Sequence, residues 1–249
     1  MSLPDLIEYR KNRYSQNGED GVIAEICRRW GVTSGWFCEF GAWDGKYGSN
    51  CYSLLLDGWR GVMIEGEEDR FKVLQRMAGR YQDRLVTRCA FVMSDGGPNS
   101  LDNLLRDTGI PRDFEVLSVD IDSYDYHVWQ SFTEFRPRLV IIEIDSSTLP
   151  GEHFIHEGTA RLTSFSAMVE LAARKDYSLV CHTGNLFFVA NEHLEGLQID
   201  PDLLAHPERL FIRDWVNPTR LSTFARKVRN MTWQRAVTKV ENNLREMMR

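Results

Sequence analysis

The chain has 249 residues, of which 43% are hydrophobic and 27% charged, and its formal net charge is −6. These values are typical of a folded globular protein with room for a well-buried core. No apolar run approaches the ~20 residues of a membrane-spanning helix, and the N-terminus lacks a signal-peptide pattern, so no transmembrane segment is predicted. The five cysteines are scattered without a CxxC pair, which is typical of reduced thiols, and we therefore predict a cytoplasmic protein.

Alternating helix and strand patterns run through most of the chain. Asn17-Gly18-Glu19-Asp20 is typical of a helix start with Asn17 as the N-cap, and apolar residues on one face predict a helix over 19–30 that Gly31 ends. Further helices are predicted over 50–57, 69–79, 101–107, 124–133 and 163–174. Strands are predicted over 36–40, 61–65, 85–90, 115–120, 139–144, 177–181 and 186–190.

This alternation predicts an α/β fold with a Rossmann-like, doubly wound and mostly parallel sheet. The last two strands are separated by a short turn at 183–185, so one strand near the end is expected to be antiparallel. After residue 192 the pattern becomes helical. We therefore predict a domain over 1–192 and a helical, basic C-terminal extension over 193–249.

The charge of the chain is unevenly distributed. From Ala205 onward ten Lys and Arg residues stand against four Asp and Glu residues, so the preceding part is strongly acidic. An acidic body argues against nucleic acid as the substrate. The basic end is either a solvated helical face or a contact surface for an acidic partner, an anionic membrane or a second subunit of a homo-oligomer.

The segment 36–50, WFCEFGAWDGKYGSN, joins a strand, a glycine-bearing turn and a helix start. This order of elements builds nucleotide pockets in open α/β sheets. A dinucleotide site requires G-x-G-x-x-G around a pyrophosphate, whereas Gly41 and Gly45 have the spacing G-x-x-x-G and stand beside Glu39 and Asp44. Carboxylates suit a ligand with hydroxyls and an ammonium but no phosphate, such as S-adenosylmethionine (SAM). The alternative is an ordinary tight turn before a helix.

Acidic residues follow five successive predicted strands. Because ligands bind beyond the carboxyl ends of the strands in such sheets, these residues are expected to line one site. Glu65 follows the glycine turn by roughly 20 residues, the offset of an acid that binds ribose hydroxyls. The alternative is a solvated acidic surface. The strand-end acids are Glu39, Glu65, Asp95, Asp120, Asp122, Glu143 and Asp145.

Several ordered motifs resemble the FkbM-type SAM-dependent methyltransferases over residues 14–192. They are YSQNGEDGVI (14–23), CEFGAWDGKYGSN (38–50), GWRGVMIEG (58–66), LSVDIDSYDYHVW (117–129), PRLVIIEID (137–145) and GNLFFV (184–189). The resemblance implies a class I methyltransferase fold and O-methylation of a sugar or another hydroxyl-bearing small metabolite. The chain departs from the family pattern at Asp122-Ser123, where Asp-Gly is expected, and at Asp145, where Asn is frequent.

The resemblance also implies how the cofactor would be held. The glycine turn, from Glu39 and Gly41 to Asp44 and Gly45, would bind the methionine end of SAM. Among the later acids, the resemblance assigns the ribose to Glu65 and the adenine side to Asp95. Asp120, after the fourth strand, is a further candidate for cofactor binding. The N-terminal residues 15–20 would close over the cofactor as a lid or, alternatively, form a capped helix docked on the sheet.

Methylation of a hydroxyl requires a nearby base or metal, because the hydroxyl must lose its proton. The candidate catalytic residues are Asp122, Glu143 and His153, and His127 and His156 are alternative bases. Carboxylates at Asp120, Asp122 and Asp145 could hold Mg²⁺, which prefers oxygen ligands. Two other functions stay open: a methyltransferase-fold module that binds without catalysis, and a nicotinamide-dependent oxidoreductase.

Overall fold

The computed structural model of the protein describes residues 3, 5–81, 83–121, 123–158 and 161–213. The predicted base Asp122 therefore lies outside the described residues, as does most of the predicted C-terminal extension with the interface for self-association predicted there. Among the described residues, none of the helices has the length and apolar character needed to cross a membrane.

Seven strands form one sheet in the order β3-β2-β1-β4-β5-β7-β6. All neighbouring strands are parallel except β7, which is antiparallel to both β5 and β6. The predicted fold class, a doubly wound and mostly parallel α/β sheet with one antiparallel strand near its end, is confirmed. The strands are β1 (Trp36–Phe40), β2 (Arg60–Glu65), β3 (Leu85–Cys89), β4 (Val116–Val119), β5 (Leu139–Glu143), β6 (Tyr177–His182) and β7 (Asn185–Ala190).

The first six helices begin and end within two residues of their predicted bounds, and the seventh lies in the segment predicted to be helical after residue 192. They are α1 (Glu19–Trp30), α2 (Tyr52–Leu56), α3 (Glu68–Ala78), α4 (Leu101–Leu105), α5 (Asp125–Ser131), α6 (Phe165–Arg174) and α7 (Pro201–Ala205). Short 3-10 turns lie at Leu6–Tyr9, Asn191–His193, Glu195–Leu197 and Pro207–Leu210.

The sheet buries a separate hydrophobic core on each face. Because successive strand residues point to opposite faces, Cys38, Phe40 and Ile64 pack with α4, α5 and α6, while Phe37 and Met63 pack with α1, α2 and α3. Burial on both faces explains why the central strands are nearly continuous runs of apolar residues. This packing makes the carboxyl edge of the sheet a fixed platform for the loops that follow the strands.

Helix α1 begins differently from the prediction. Its N-cap is Gly18, with a φ of 98° and no side-chain capping bond, so the prediction that Asn17 is the cap is wrong. A Cβ on Gly18 would lie 2.7 Å from the Cβ of Arg10. Only glycine combines this left-handed conformation with so close a chain crossing. Gly31 ends the helix in the left-handed conformation, as predicted.

Strands β6 and β7 form a hairpin at the carboxyl edge of the sheet. Its turn is closed by the Thr183 N–H, which donates to the Asn185 carbonyl at 2.9 Å, and Gly184 has a φ of 104°. In the antiparallel register Asn185 lies opposite Glu143 of β5. The hairpin therefore brings a polar turn to the edge where the parallel strands end.

Candidate functional site

The candidate site lies where the strand order reverses, between β1 and its neighbour β4. Open α/β sheets bind ligands at such a switch point, beyond the carboxyl ends of the strands. Gly41 follows β1 with a φ of 75°, and a Cβ at this position would lie 1.9 Å from the Asp120 carbonyl oxygen. The loops after β1 and β4 thus touch through backbone, and glycine is required for the contact.

Glu39, the residue before the last of β1, is buried and organises the start of α2. Its carboxylate accepts hydrogen bonds from the Ser49 hydroxyl at 2.5 Å and from the Asn50 N–H at 2.8 Å. The Ser49 oxygen in turn accepts the Tyr52 N–H at 2.9 Å, inside the first turn of α2. Burial raises the pKa of Glu39 to about 7, and the charge of Asp120 adds to the rise, against the opposing effect of the Ser49 and Asn50 donors.

Backbone N–H groups of the glycine turn are hydrogen-bonded to a side chain of the same turn. The Asp44 carboxylate accepts the N–H groups of Lys46 and Tyr47 at 2.9 and 2.7 Å. These N–H groups are therefore engaged and are not presented to a phosphate. Gly45, with a φ of 74°, is pressed against α3, because a Cβ there would lie 2.4 Å from the Met77 methyl carbon. The structure thus gives Gly45 a packing role besides any part in ligand binding.

Glu65, at the end of β2, is also buried and ties two loops together. Its carboxylate accepts the N–H groups of Trp43 and Glu67, each at 2.8 Å. Burial raises the pKa of Glu65 in spite of these two donors. The Trp43 ring beside it is 45% exposed, and the Arg70 guanidinium lies 5.6 Å from the ring centre. An acid predicted to bind ribose thus also holds the turn after β1.

The remaining predicted cofactor residues lie on the loops after β3 and β4. Asp95 is exposed, and its carboxylate accepts the Gly97 N–H at 2.9 Å. Asp120 is half-buried where the β4 loop meets Gly41. The sequence reasoning missed Asp125, whose carboxylate accepts the N–H groups of Ile121 and Ser123, both at 3.0 Å. An acid in the first turn of a helix that follows a strand was the available signal for this role.

Glu143 and Asp145 mark the end of β5. Asp145 accepts hydrogen bonds from the Ser147 N–H at 2.9 Å and the Thr148 hydroxyl at 3.0 Å, and the Arg161 guanidinium lies 3.4 Å away. Burial acts to raise the pKa of Asp145, but the Ser147 and Thr148 hydrogen bonds and the Arg161 charge outweigh it, and the pKa is lowered. Asp145 is therefore an ionised, internally paired carboxylate.

Three or more His, Cys, Asp or Glu side chains arranged to hold a metal ion do not occur within the part of the chain that the structure describes. The predicted Mg²⁺ set of Asp120, Asp122 and Asp145 includes one residue outside that part, Asp122. The Arg161 guanidinium already balances the negative charge of Asp145, so this carboxylate does not require a metal ion for charge balance.

The predicted histidine bases lie in two different environments. His153 is exposed and pairs with Glu170 on the surface of α6 at 3.1 Å. His156 is buried, and its Nδ1 lies 2.9 Å from the Arg161 carbonyl. His127 of α5 has a pKa lowered by burial and by the charge of His156, and the rings of both residues contact Tyr124, with centres 5.5 and 4.8 Å from it. Two histidines thus flank a partly exposed tyrosine beside the loop after β4.

His182, at the end of β6, is a buried histidine that the sequence reasoning did not single out. Its Nδ1 accepts the Ile212 N–H at 3.0 Å, and its Nε2 lies 3.2 Å from the Ser146 hydroxyl. Burial lowers the pKa of His182 to about 4, so the ring is neutral at pH 7. Because Nδ1 accepts a hydrogen bond, the proton of the neutral ring lies on Nε2. No local sequence pattern indicates that His182 is buried and hydrogen-bonded, because its partners Ile212 and Ser146 lie far from it in the chain.

Comparison with known proteins identifies no protein family that matches the chain and no curated protein that matches it. Solved structures do match. A candidate RNA methyltransferase from Pyrococcus horikoshii is 10% identical, with 76% of this chain and 90% of that chain aligned and a TM-score of 0.45. The C-terminal domain of precorrin-6Y C5,15-methyltransferase from Rhodobacter capsulatus is 12% identical, with 55% and 66% of the two chains aligned and a TM-score of 0.38.

A third similar structure is TrmK of M. capricolum in complex with S-adenosyl-homocysteine. It is 7% identical, with 66% of this chain and 65% of that chain aligned and a TM-score of 0.40. The chain thus spans about two thirds of the length of two of these three structures. At such low identities and TM-scores the similarities identify neither a reaction nor a substrate.

Proposed function

We propose that the protein is a SAM-dependent methyltransferase that methylates a hydroxyl of a sugar or a related small metabolite. The observation that carries this proposal is the polarity of the switch point between β1 and β4. The buried carboxylates of Glu39 and Glu65 lie at the ends of β1 and β2 beside the turn, and Asp44 holds the N–H groups of Lys46 and Tyr47. This arrangement suits an ammonium and ribose hydroxyls and opposes a pyrophosphate, which argues against the nicotinamide-dependent alternative.

The two buried carboxylates keep capacity for a ligand. A carboxylate offers about four lone-pair sites. Ser49 and the N–H groups of Asn50 and Cys51 donate to Glu39, and two N–H groups donate to Glu65, which leaves one site on Glu39 and two on Glu65. In the proposal, Glu39 faces the ammonium of SAM and Glu65 the ribose. The sulfonium loses its positive charge as the methyl group leaves, so a carboxylate touching the sulfur would stabilise the ground state over the transition state. The acids therefore serve the periphery of the cofactor.

On the acceptor side, we assign proton removal to Glu143 or Asp122. Glu143 ends β5, the neighbour of β4 on the far side of the switch point. His153 is a weaker candidate, because it pairs with Glu170 on an exposed surface. Most of the rate would come from holding the acceptor oxygen, the methyl carbon and the sulfur in line.

Titration calorimetry with SAM and NAD tests the cofactor, and mass spectrometry of a panel of sugars incubated with SAM tests the reaction. We expect SAM to bind, NAD not to bind, and one class of hydroxyl to gain a methyl group. Absence of SAM binding would refute the proposal. Binding of SAM without methylation of any hydroxyl would favour a binding module without catalysis.

Variants at Glu143 and His153 test the division of labour. We expect Glu143→Gln to abolish turnover while SAM affinity stays within about tenfold, ~1.4 kcal/mol. His153→Ala and the matched surface change Glu170→Gln should both retain turnover, because these side chains pair with each other at the surface. Loss of activity in His153→Ala alone would transfer the role of base to His153.

A further inference from the structure

The N-terminal segment, residues 12–18, spans the carboxyl edge of the sheet from the glycine turn to the β6–β7 turn. At one end the Tyr14 carbonyl accepts the Gly48 N–H at 3.0 Å, and the Gln16 Nε2 lies 3.1 Å from where a Cβ on Gly48 would be. At the other end the Asn17 Nδ2 lies 2.8 Å from the corresponding position on Gly184. Both contacts use glycines with positive φ, so the segment sits closely on both turns.

Two buried acids hold the segment in place. The Asp20 carboxylate accepts the N–H groups of residues 13–15 at 2.8 Å each and the Ser53 hydroxyl of α2 at 2.6 Å. The Glu19 carboxylate accepts the Thr183 hydroxyl at 2.8 Å and the Asn17 N–H at 2.7 Å. The two acids of the predicted lid are thus internal anchors, and the segment is fixed in position rather than left as a loose cover.

Two side-chain amides of this segment are left available. Gln16 is exposed and Asn17 is half-buried. Within the described ranges, neither side-chain amide takes part in a hydrogen bond, although the backbone of both residues does. These amides are therefore uncharged donors at the carboxyl edge of the sheet, where the other side chains predicted to bind the cofactor are carboxylates.

The glycine turn itself has few donors to spare. Between residues 42 and 50, every backbone N–H group except that of Asp44 already donates a hydrogen bond within the protein. The donor and acceptor residues are Ala42 to Ile64, Trp43 to Glu65, Gly45 to Ala42, Lys46 and Tyr47 to Asp44, Gly48 to Tyr14, Ser49 to Lys46, and Asn50 to Glu39. A ligand carboxylate placed here would meet acids and occupied N–H groups. Apart from the Asp44 N–H and the Lys46 ammonium, its donors must come from outside the turn.

We propose that the Gln16 and Asn17 side-chain amides bind the carboxylate of the amino-acid end of the cofactor. This inference rests on the proposed function, because SAM and its product S-adenosylhomocysteine both carry that carboxylate. The amides supply N–H donors without a net charge, while Glu39, near the end of β1, suits the ammonium of the same group. The N-terminal segment thereby selects nucleosides that bear an amino acid.

Binding of two nucleosides to the full chain tests this assignment. S-adenosylhomocysteine carries the amino-acid end, whereas 5′-methylthioadenosine keeps the adenine, ribose and sulfur but lacks it. We expect Gln16→Ala and Asn17→Ala each to weaken S-adenosylhomocysteine binding at least tenfold and to leave 5′-methylthioadenosine within twofold. Gln16→Glu, which places a negative charge in the same volume, should weaken S-adenosylhomocysteine further and again spare 5′-methylthioadenosine.

The matched control is Gln75→Ala, which removes an exposed amide from α3 and should change neither affinity. Equal weakening of both nucleosides would show that the segment only supports the fold, and unchanged affinity for both would show that the amides do not touch the ligand. Either result overturns the assignment. If the unaltered protein binds neither nucleoside, the proposed function itself has failed.

Discussion

Replacing Gly41 with alanine tests the contact that defines the candidate site. The left-handed conformation costs an alanine about 1–2 kcal/mol. The new Cβ would also lie 1.9 Å from the Asp120 carbonyl oxygen, a backbone atom that cannot rotate away. Forced backbone shifts of this kind cost about 1–3 kcal/mol. We therefore expect Gly41→Ala to lower the free energy of unfolding by about 2–5 kcal/mol, measured by urea denaturation.

Gly96→Ala is the matched control for this change. Gly96 has a φ of 74° against 75° for Gly41, but nothing lies within 4 Å of the position of its Cβ. It should lose only the conformational term of about 1–2 kcal/mol. The difference between the two variants isolates the contact between the loops after β1 and β4. Equal losses of stability in the two variants would refute the close approach at the switch point.

Three further changes test the buried charges. In the native protein, the raised pKa of Glu39 lowers the free energy of unfolding by on the order of 3 kcal/mol as pH rises from 4.5 to 7. Glu39→Gln cannot ionise and should avoid this loss, as measured by urea denaturation at pH 5 and 8. His182→Gln should avoid a similar loss that the native histidine imposes as pH falls from 6.5 to 4, measured by urea denaturation at pH 4 and 8. Asp20→Ala should cost about 3 kcal/mol or more, because its buried hydrogen bonds to the N-terminal segment and Ser53 are lost. It should also weaken S-adenosylhomocysteine binding, whereas the exposed change Asp69→Ala should do neither.

The arrangement of strands and helices could be predicted from the sequence because its signals are local. Apolar runs of four to six residues, bounded by glycines such as Gly31 and Gly58, mark strands that are buried on both faces. The short turn at Gly184 indicated the antiparallel pair. The start of α1 could not be predicted in this way, because the close approach of Arg10 to Gly18 depends on the path of the preceding chain.

The position of the site could be predicted, but the partners of its side chains could not. Parallel strands bring their carboxyl ends to one edge, so acids at strand ends such as Glu39 and Glu65 could be assigned to that edge. Their hydrogen bonds join residues far apart in the chain, as when Glu65 accepts the Trp43 N–H. Such bonds depend on loop conformation, which no periodic pattern records. The hydrogen bonds that Asp125 accepts from the loop after β4 also depend on loop conformation, so the sequence did not predict them.

Two buried ionisable groups at the carboxyl edge oppose each other in their effect on stability. Between pH 4.5 and 6.5 the folded protein keeps the proton on Glu39 that the unfolded chain has lost, because the pKa of Glu39 is raised to about 7. Over the same range the unfolded chain binds a proton at His182 that the folded protein excludes, because the pKa of His182 is lowered to about 4.

Each of these two groups contributes a slope of about 1.4 kcal/mol per pH unit, with opposite signs, so their contributions nearly cancel in the native protein. The cancellation has a consequence for the single variants. Relative to the native protein, Glu39→Gln should make stability rise more with pH across this range, and His182→Gln should make it fall more, each by about 1.4 kcal/mol per pH unit. Glu65, whose pKa is raised, and His127, whose pKa is lowered, contribute slopes of their own, so the difference between each variant and the native protein is what reports on the altered group. An unchanged slope in either variant would show that its group lies in a more polar environment than the fold indicates.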